Sequence, residues 1–518
     1  MAAEATDAAH ETTSRNPDIE ALSPLERSTT TRSTFKKPTS LPREILFVSL
    51  LCTSQLLTQA GLSQSIAPLH ILSRTFGNPS AGQQSWFTAA YSLTVGIFIL
   101  IAGRIGDVFA AHKRVFVCGY VWFGLWSMVC GFAALARSQV MFDVCRALQG
   151  IGPAFVLPNA IAILSRAYEP GRRQEMVFGL FGATAPGGFV IGAVFSSLLA
   201  ERAWWPWGFW CMAVVCAALA AAGTVVIPKE EVVEESTEFE EATEKFGIFE
   251  RLDMAGTVVG LTGLILFNFA WNQGPVVGWQ TPYTYVILIL GVIVLAVFAF
   301  IESRARFPLV PVRKLSRNVW FVLGCISAGW ASFGIWVFYS WQFMELLRGS
   351  SPLLASAQFV PVALSGLCAA VTTGAVLSRI PPSVFMMIAM LAFTIGSILI
   401  ATAPVGQTYW AQTFVGFIII PWGMDMSFPA GTIIMSRTLP REEQGLAASL
   451  LNTIINYSIS IGLGFAGTVE RQVNHGGQNL LAGYRGAFYL GIGLSSLGLT
   501  VSVCFAFVQF FESRKQRR

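Results

Sequence analysis

Charge is what this chain has least of. Only 12% of its 518 residues are Asp, Glu, Lys or Arg, about half the share of a soluble globular chain, which excludes a water-soluble fold of this size. Histidine is scarcer still. Its four copies (His10, His70, His112, His475) are scattered and form no ligand set. The nine cysteines fall in or beside apolar runs and read as small hydrophobes, neither a disulfide framework nor a metal site. No GxxxxGK[ST] loop is present, so the chain does not hydrolyse ATP by that route. No HExxH pattern or paired His/Cys set points to an intramembrane enzyme. The chain is therefore expected to be no enzyme, to need no cofactor or metal, and to draw energy from a gradient. Residues 1–43 are polar and Ser/Thr-rich without an apolar h-region, so no cleaved signal peptide is expected and the first membrane helix serves for insertion.

What the chain does have is apolar length. Hydrophobic residues make up 54%, aromatic residues 13%, and the mean hydropathy is +0.59. About 20 apolar residues span a bilayer as a helix, and the forty Phe and fifteen Trp suit lipid-facing surfaces and interfacial belts. The fold class is an all-α polytopic membrane protein. Fourteen spans are predicted near 45–72, 85–103, 115–136, 140–165, 176–200, 206–227, 253–272, 283–302, 319–342, 352–378, 384–403, 409–436, 445–469 and 487–511. With the N-terminus in the cytoplasm, 27 of 34 Lys and Arg lie inside, six outside and Arg146 within a helix, as the positive-inside rule requires. Both termini are then cytoplasmic, and the plasma membrane is the expected location. The net charge of +5 says little about partners. Lipid, protons and a small-molecule substrate are expected, without nucleic acid, in a monomer.

The sequence repeats itself. "PNAIAILSR" (158–166) and "PAGTIIMSR" (429–437) align at an offset of 271, which also superposes Gly152 on Gly423 and Gly103 on Gly374. After a one-residue gap Gly192 meets Gly462. Spans 1–6 thus look duplicated as spans 9–14, an architecture of transporters whose site lies between the halves. The expected division is a disordered tail (1–43), a six-helix half (44–227), a Glu-rich cytoplasmic loop (228–251) and two inserted helices (252–303). A basic loop (304–318), a second six-helix half (319–511) and a basic tail (512–518) follow. "KEEVVEESTEFEEATEK" (229–245) reads as a solvated linker.

Between spans 2 and 3 stands "GRIGDVFAAHKR" (103–114). Gly103 and Gly106 allow close helix approach. Asp107 can pair with a cation or a helix N-terminus, and Lys113 and Arg114 satisfy positive-inside. A short charged turn of this kind could latch one half against the other; a topogenic loop is the alternative. The stretch resembles motif A of the major facilitator superfamily, although the glycine usual before the basic cluster is replaced by Ala110-Ala111. "RALQGIG" (146–152) resembles motif B, with Arg146, Gln149 and Gly150 matching. "GFVIGAVFSSLL" (188–199) is similar to motif C of proton-coupled exporters; Gly192 matches, but Ala193 and Ser196-Ser197 replace a Pro and a Gly pair. Pro186 and Gly188, one turn earlier, are placed to supply the helix distortion. The whole of 44–511 resembles the fourteen-helix drug:proton antiporter branch, and within it a fungal group of aminotriazole-resistance and boron-efflux proteins, ammonium-associated relatives and secondary-metabolite pumps. The resemblance implies the major facilitator fold and transport.

Ionisable groups at membrane depth cost at least about 2.5–3.5 kcal/mol, so the few present mark functional candidates. Asp425, between Pro421 and Pro429 in span 12, is placed to carry a coupled proton; a permanently neutral or paired structural Asp is the alternative. Arg146 and Asp143, three apart in span 4, share a helix face, and the resemblance implies a role for Arg146 in proton transfer; a buried Arg–Asp pair or helix–helix glue is the alternative. Gln55 and Gln59 in span 1, Asn159 in span 4, Trp336, Tyr339 and Gln342 in span 9, and Asn452 and Asn456 in span 13 are candidate cavity residues, with interhelical hydrogen bonding as the other reading. The expected function is proton-coupled efflux of a drug, toxic solute or secondary metabolite. Import of a small polar solute such as ammonium and a non-transporting sensor are the rivals.

Overall fold

The computed structural model describes residues 33–35, 40–77, 80–169, 171–232, 247–305, 307–310, 313, 315–376, 379–438, 444–475 and 477–516. Most of the expected tail (1–43) and of the Glu-rich loop (228–251) lies outside them, as does part of the basic loop (304–318). Among the described residues, fourteen helices are long and apolar enough to cross a membrane. We number them α1 (Leu41–Ile66), α2 (Ala81–Phe109), α3 (His112–Ala136), α4 (Gln139–Ala167), α5 (Arg172–Arg202), α6 (Pro206–Val226) and α7 (Met254–Val277). Then come α8 (Pro282–Glu302), α9 (Arg317–Leu347), α10 (Pro352–Val376), α11 (Pro382–Thr402), α12 (Gln412–Thr438), α13 (Gln444–Val473) and α14 (Leu480–Gln516). Fourteen crossings put both ends on one face, here the terminal face.

Local chemistry sets the ends. Span 1, expected to run to 72, stops at Ile66 because Pro68 cannot continue a helix; Leu69–Thr75 forms a separate short helix. Ser80 closes a capping box with Gln83 at the start of α2. The last turn of α9, Phe343–Leu347, is π-helical, and the basic tail expected from 512 continues α14 to Gln516. Between α2 and α3 the turn needs only Ala110 and Ala111, and Ala110 takes φ 45° where a glycine would be unstrained. A left-handed non-Gly residue costs about 1–2 kcal/mol, and glycine's freedom in the unfolded chain returns about 0.5–1 of that. Ala110→Gly should therefore stabilise the fold by about 0.5–1 kcal/mol. A thermal ramp on purified protein would show the midpoint rise, and a lowered midpoint would refute the strain.

The repeat reappears as packing. Gly192 of α5 lies against Ala60 of α1 with no room for a Cβ, and Gly462 of α13 lies against Ala331 of α9, where a Cβ would stand 2.7 Å from the carbonyl oxygen. Ala60 and Ala331 are themselves 271 residues apart. Likewise a Cβ on Gly152 would meet Phe123 at 2.5 Å, and one on Gly423 would meet Phe393 at 2.7 Å. Gly103 and Gly374 do not match: the first faces Ser449, and a Cβ on the second would meet nothing within 4 Å among the described residues. The two pseudo-symmetric six-helix halves meet along α2 with α13 and α5 with α10. The inserted pair sits outside this seam. α7 packs on α2 and α13, and α8 packs on α7 and turns its apolar surface outward, as lipid solvation allows. A buried polar knot seats α7: Ser460 Oγ donates to Asn268 Oδ1 at 3.0 Å, and Asn272 Nδ2 donates to the Ser460 carbonyl at 3.2 Å.

Among the described residues, the one departure from an all-helical chain is a two-stranded antiparallel ribbon on the terminal face, β1 (Ser33–Phe35) with β2 (Glu230–Val232), pairing Phe35 with Glu230. It joins the segment before α1 to the segment after α6.

Candidate functional site

The residues singled out in the sequence fall into three separate places. The first is the terminal end of α2. Asp107 Oδ1 accepts from Arg166 Nη2 at 2.7 Å and lies 3.4 Å from His112 Nε2. Arg166 Nη1 reaches Glu230 Oε1 at 3.2 Å, and Glu230 Oε2 accepts the His112 backbone N–H at 2.9 Å, at the start of α3. A carboxylate there also complements the helix dipole. Asn159 belongs to this cluster: its Oδ1 is 2.8 Å from His112 Nδ1, and its Nδ2 donates to the Ala102 and Phe155 carbonyls. Gly106 leaves the space that Asn159 and His112 fill. Lys113 donates to the Thr224 carbonyl at 2.8 Å and also to that of Ile227, tying α3 to the end of α6, while Arg114 is exposed. Arg104 Nε donates to the Arg251 carbonyl at 3.2 Å, linking this end of α2 to the inserted pair. Glu230 opens the segment read as a solvated linker, yet its side chain is buried and bonded; residues 233–246 lie outside the described ones. Arg166 closes the first copy of the repeated "SR", the one sequence signal that marked it. Nothing in the sequence pointed to Glu230.

The second place is the far third of α4. Arg146 is fully buried. Its Nε donates to the Phe87 carbonyl at 2.8 Å, Nη1 to Gln149 Oε1 at 2.5 Å, and Nη2 to the Gly61 carbonyl at 2.9 Å and Ser65 Oγ at 3.1 Å. Its guanidinium lies 4.4 Å from the Tyr91 ring centroid. The planar fork thus joins α1, α2 and α4. Asp143 does not pair with it: Oδ2 accepts from Gln139 Nε2 at 3.2 Å, and Oδ1 is buried without a hydrogen-bond partner among the described residues. Neither residue is brought near Asp425.

The third place lies halfway along α5, α10 and α12. Asp425 of α12 is half-buried, with Oδ2 enclosed and lacking a hydrogen-bond partner among the described residues. A Cβ on Gly366 of α10 would stand 2.7 Å from that oxygen and 3.0 Å from the Pro186 ring of α5. The carboxylate and the proline thus flank one glycine on the seam between the halves. Gly188 and Gly192, a turn or two further on, press α5 flush against α1 at Leu56 and Ala60.

The remaining candidates are dispersed. Gln55 and Gln59 are half-buried on α1. Asn452 and Asn456 are half-buried on α13 and donate to the carbonyls four residues back. Trp336 packs against Phe359 and Phe417, whereas Tyr339 packs against Tyr484 and Phe488. At 100° per residue, positions i, i+3 and i+6 drift about 120° round a helix, so this stripe divides between α10/α12 and α14. Gln342 is buried, with Nε2 unpartnered among the described residues. Also among them, no group of three or more His, Cys, Asp or Glu is placed to hold a metal ion.

Known proteins share this arrangement. The sequence profile described as Major Facilitator Superfamily matches residues 50–463 and 319–518. A Saccharomyces cerevisiae protein named low affinity ammonium transporter is 62% identical over 481 residues, covering 93% of this chain and 92% of its own. Efflux pump terJ of Aspergillus terreus is 48% identical over 479 residues, 92% of this chain and 91% of its own. The aminotriazole resistance protein of Saccharomyces cerevisiae is 40% identical over 481 residues, 92% and 86% of the two chains. Among solved structures, the nucleoside transporter NupG, in a mutant form, superposes with a TM-score of 0.60 at 12% identity, over 89% of this chain and 99% of that one. At that identity the likeness concerns the fold alone.

Proposed function

Because the chain belongs to the major facilitator superfamily, a family of transporters, we propose that it is a proton-coupled secondary exporter of small molecules. Its halves (44–227 and 319–511) rock about the α2–α13 and α5–α10 seams, with the terminal face in the cytoplasm of a plasma-membrane monomer. What supports the reading is Asp425. A carboxylate enclosed at mid-membrane without a donor is costly when ionised and cheap when neutral. A site that is dry in one arrangement of the halves and wet in the other takes up a proton in the first and loses it in the second. One proton moving down 100 mV yields about 2.3 kcal/mol and one pH unit adds about 1.4, together enough to hold a gradient of about several hundredfold. Relatives named as efflux pumps favour export.

A second reading, ammonium uptake, is favoured by the name of the 62% identical relative. One experiment separates them: proteoliposomes with an imposed pH gradient, offered ammonium or a panel of fluorescent organic solutes, with and without a protonophore. Protonophore-sensitive accumulation of organic solute supports export. Ammonium flux alone, indifferent to the protonophore, refutes it.

The cluster around Asp107 acts in this reading as a latch that is remade each cycle. Asp107→Asn, and equally Glu230→Gln, should slow transport severalfold without reducing the amount of protein in the membrane. The double variant should be little worse than either single one, since both act through Arg166. Full turnover by either variant across pH 5–7 would remove the latch.

A further inference from the structure

The two halves also touch at the far ends of α9 and α10, at a place the sequence left unremarked. Glu345 sits in the π-helical turn that ends α9, and its Oε2 lies 3.5 Å from Nε2 of His70, on the short helix after α1. A π-helical turn re-aims the side chains of a helix and is frequent at functional sites. The Glu345 side chain is 4% exposed and that of His70 16%. Glu345 Oε1 and His70 Nε2 are both enclosed without a hydrogen-bond partner among the described residues.

The contact belongs to a seal. Glu201, at the end of α5, accepts the Leu353 backbone N–H at 2.7 Å, and Ser197 Oγ meets Ser356 Oγ at 2.9 Å. Beneath them Phe189 of α5 packs edge-on against Trp341 of α9, which stacks on Phe359. The structure is thus closed along this seam on the far side. Cβ atoms on Gly179 and Gly182 of α5, or on Gly374 of α10, would meet nothing within 4 Å among the described residues.

The charged groups around the pair are Glu201, Arg74 and Arg348. The Glu201 carboxylate, at the end of α5, faces the Glu345 carboxylate. Burial and the neighbouring Arg74 push His70 down to about 4, which keeps the imidazole neutral. Arg348, the residue after the π-helical turn, is engaged elsewhere, with Thr413 Oγ1 at 2.9 Å and the Pro404 carbonyl at 3.1 Å. Among the described residues Glu345 is paired with no Lys or Arg, so an ionised carboxylate closed in this place is left without one. The closed contact is satisfied when the carboxylic acid donates its O–H to neutral His70 Nε2.

We propose that Glu345 and His70 form an outer lock that closes only when one proton from the outside solution neutralises the Glu345 carboxylate, making the pair a second proton-binding site of the transport cycle. On closing, hydronium gives its proton to the carboxylate and leaves water. On opening, the hydrated acid returns the proton to the same side. The lock rests on the rocking of the halves proposed above but not on Asp425.

The test reads opening rather than transport. Ser356→Cys places a thiol under the seal, and its labelling by a membrane-impermeant thiol reagent is followed on full-length protein in proteoliposomes. Label found on the chain that retains Ser356 is subtracted. The same probe in a Glu345→Gln background corrects for the reagent's own pH dependence. After correction, labelling at outside pH 7.5 should be at least about fivefold faster than at pH 5.5, because ionisation holds the lock open. Equal pH ratios with Glu345 and with Gln would overturn the proposal. His70→Leu removes the acceptor and should label fast at both pH values; labelling as slow as with His70 would equally overturn it. Asp425→Asn should keep the pH ratio seen with Asp425, so failure of the coupling site and failure of the lock are distinguishable.

Discussion

Asp425→Asn is expected to abolish proton-driven accumulation of substrate while leaving substrate exchange within about a factor of two. The amide is nearly isosteric with the neutral acid, so the α5–α10–α12 contact around Gly366 and Pro186 survives. Exchange of substrate for substrate needs no net proton release, and a permanently neutral side chain permits it. Uphill movement needs the proton to leave on one side, and Asn has none to give. The expected loss is the whole of the driven gradient, about several hundredfold for one proton at 100 mV and one pH unit. Asp425→Glu should keep part of the activity with a shifted pH optimum, since an extra methylene moves the acid into the space Gly366 leaves open. Gly366→Ala tests the same contact from the other side: the new methyl would stand 2.7 Å from Oδ2, must displace the carboxylate, and should impair accumulation with Asp425 intact. Vesicles with an imposed pH gradient measure accumulation, and preloaded vesicles measure exchange. Full accumulation by the Asn variant would take Asp425 out of the mechanism. Loss of both activities together with loss of expression would make it a structural residue.

Arg146→Ala is expected to be the most damaging single change to the fold. It removes every donor that satisfies the Phe87 and Gly61 carbonyls and Gln149 Oε1 from the guanidinium side. Hydrogen bonds to a charged group are worth about 1.5–3 kcal/mol each and do not add simply, so losing several at once should cost about 3 kcal/mol or more. The yield of folded protein should fall severalfold, and its thermal midpoint should drop by several degrees. Arg146→Lys keeps the charge but loses the planar fork that reaches α1 and α2 together. It should fold better than the Ala variant and transport at least about tenfold more slowly than with Arg. Detergent-solubilised thermal ramps and vesicle uptake measure the two effects. An Ala variant as stable as the Arg form would show that the network contributes nothing; a Lys variant with undiminished transport would make Arg146 purely structural.

Both residues were visible in the sequence, because a charge inside an apolar run is conspicuous, but their partners were not. Asp143, three residues before Arg146, looked like its counter-ion. In the fold the guanidinium instead meets carbonyls that α1 and α2 turn towards it, and Asp143 turns to Gln139. Asn159 looked like a cavity residue and lies instead beside His112, where Gly106 leaves room. Glu230, His70 and Glu345 carried no signal. Their importance depends on segments that arrive from elsewhere in the chain: the turn after α6, the short helix after α1 and the π-helical end of α9.

By itself the sequence determined the class, the number of spans, the duplication and the family. Hydropathy, turn residues and the spacing of glycines are local properties, and in a bilayer each apolar stretch of about 20 residues must satisfy its own backbone as a helix whatever its neighbours do. Only the tertiary structure decided which polar atoms meet. Lipid tails are as apolar as leucine, so no hydrophobic drive turns a given face inward, and the rotation of each helix is settled by where small residues let two backbones approach. In this chain those places are Gly188 and Gly192 of α5 against α1, Gly462 of α13 against α9, and Gly366 of α10 between Pro186 and Asp425. The contacts join residues far apart in sequence, and they turn Asp425 into the seam and Tyr339 away from it.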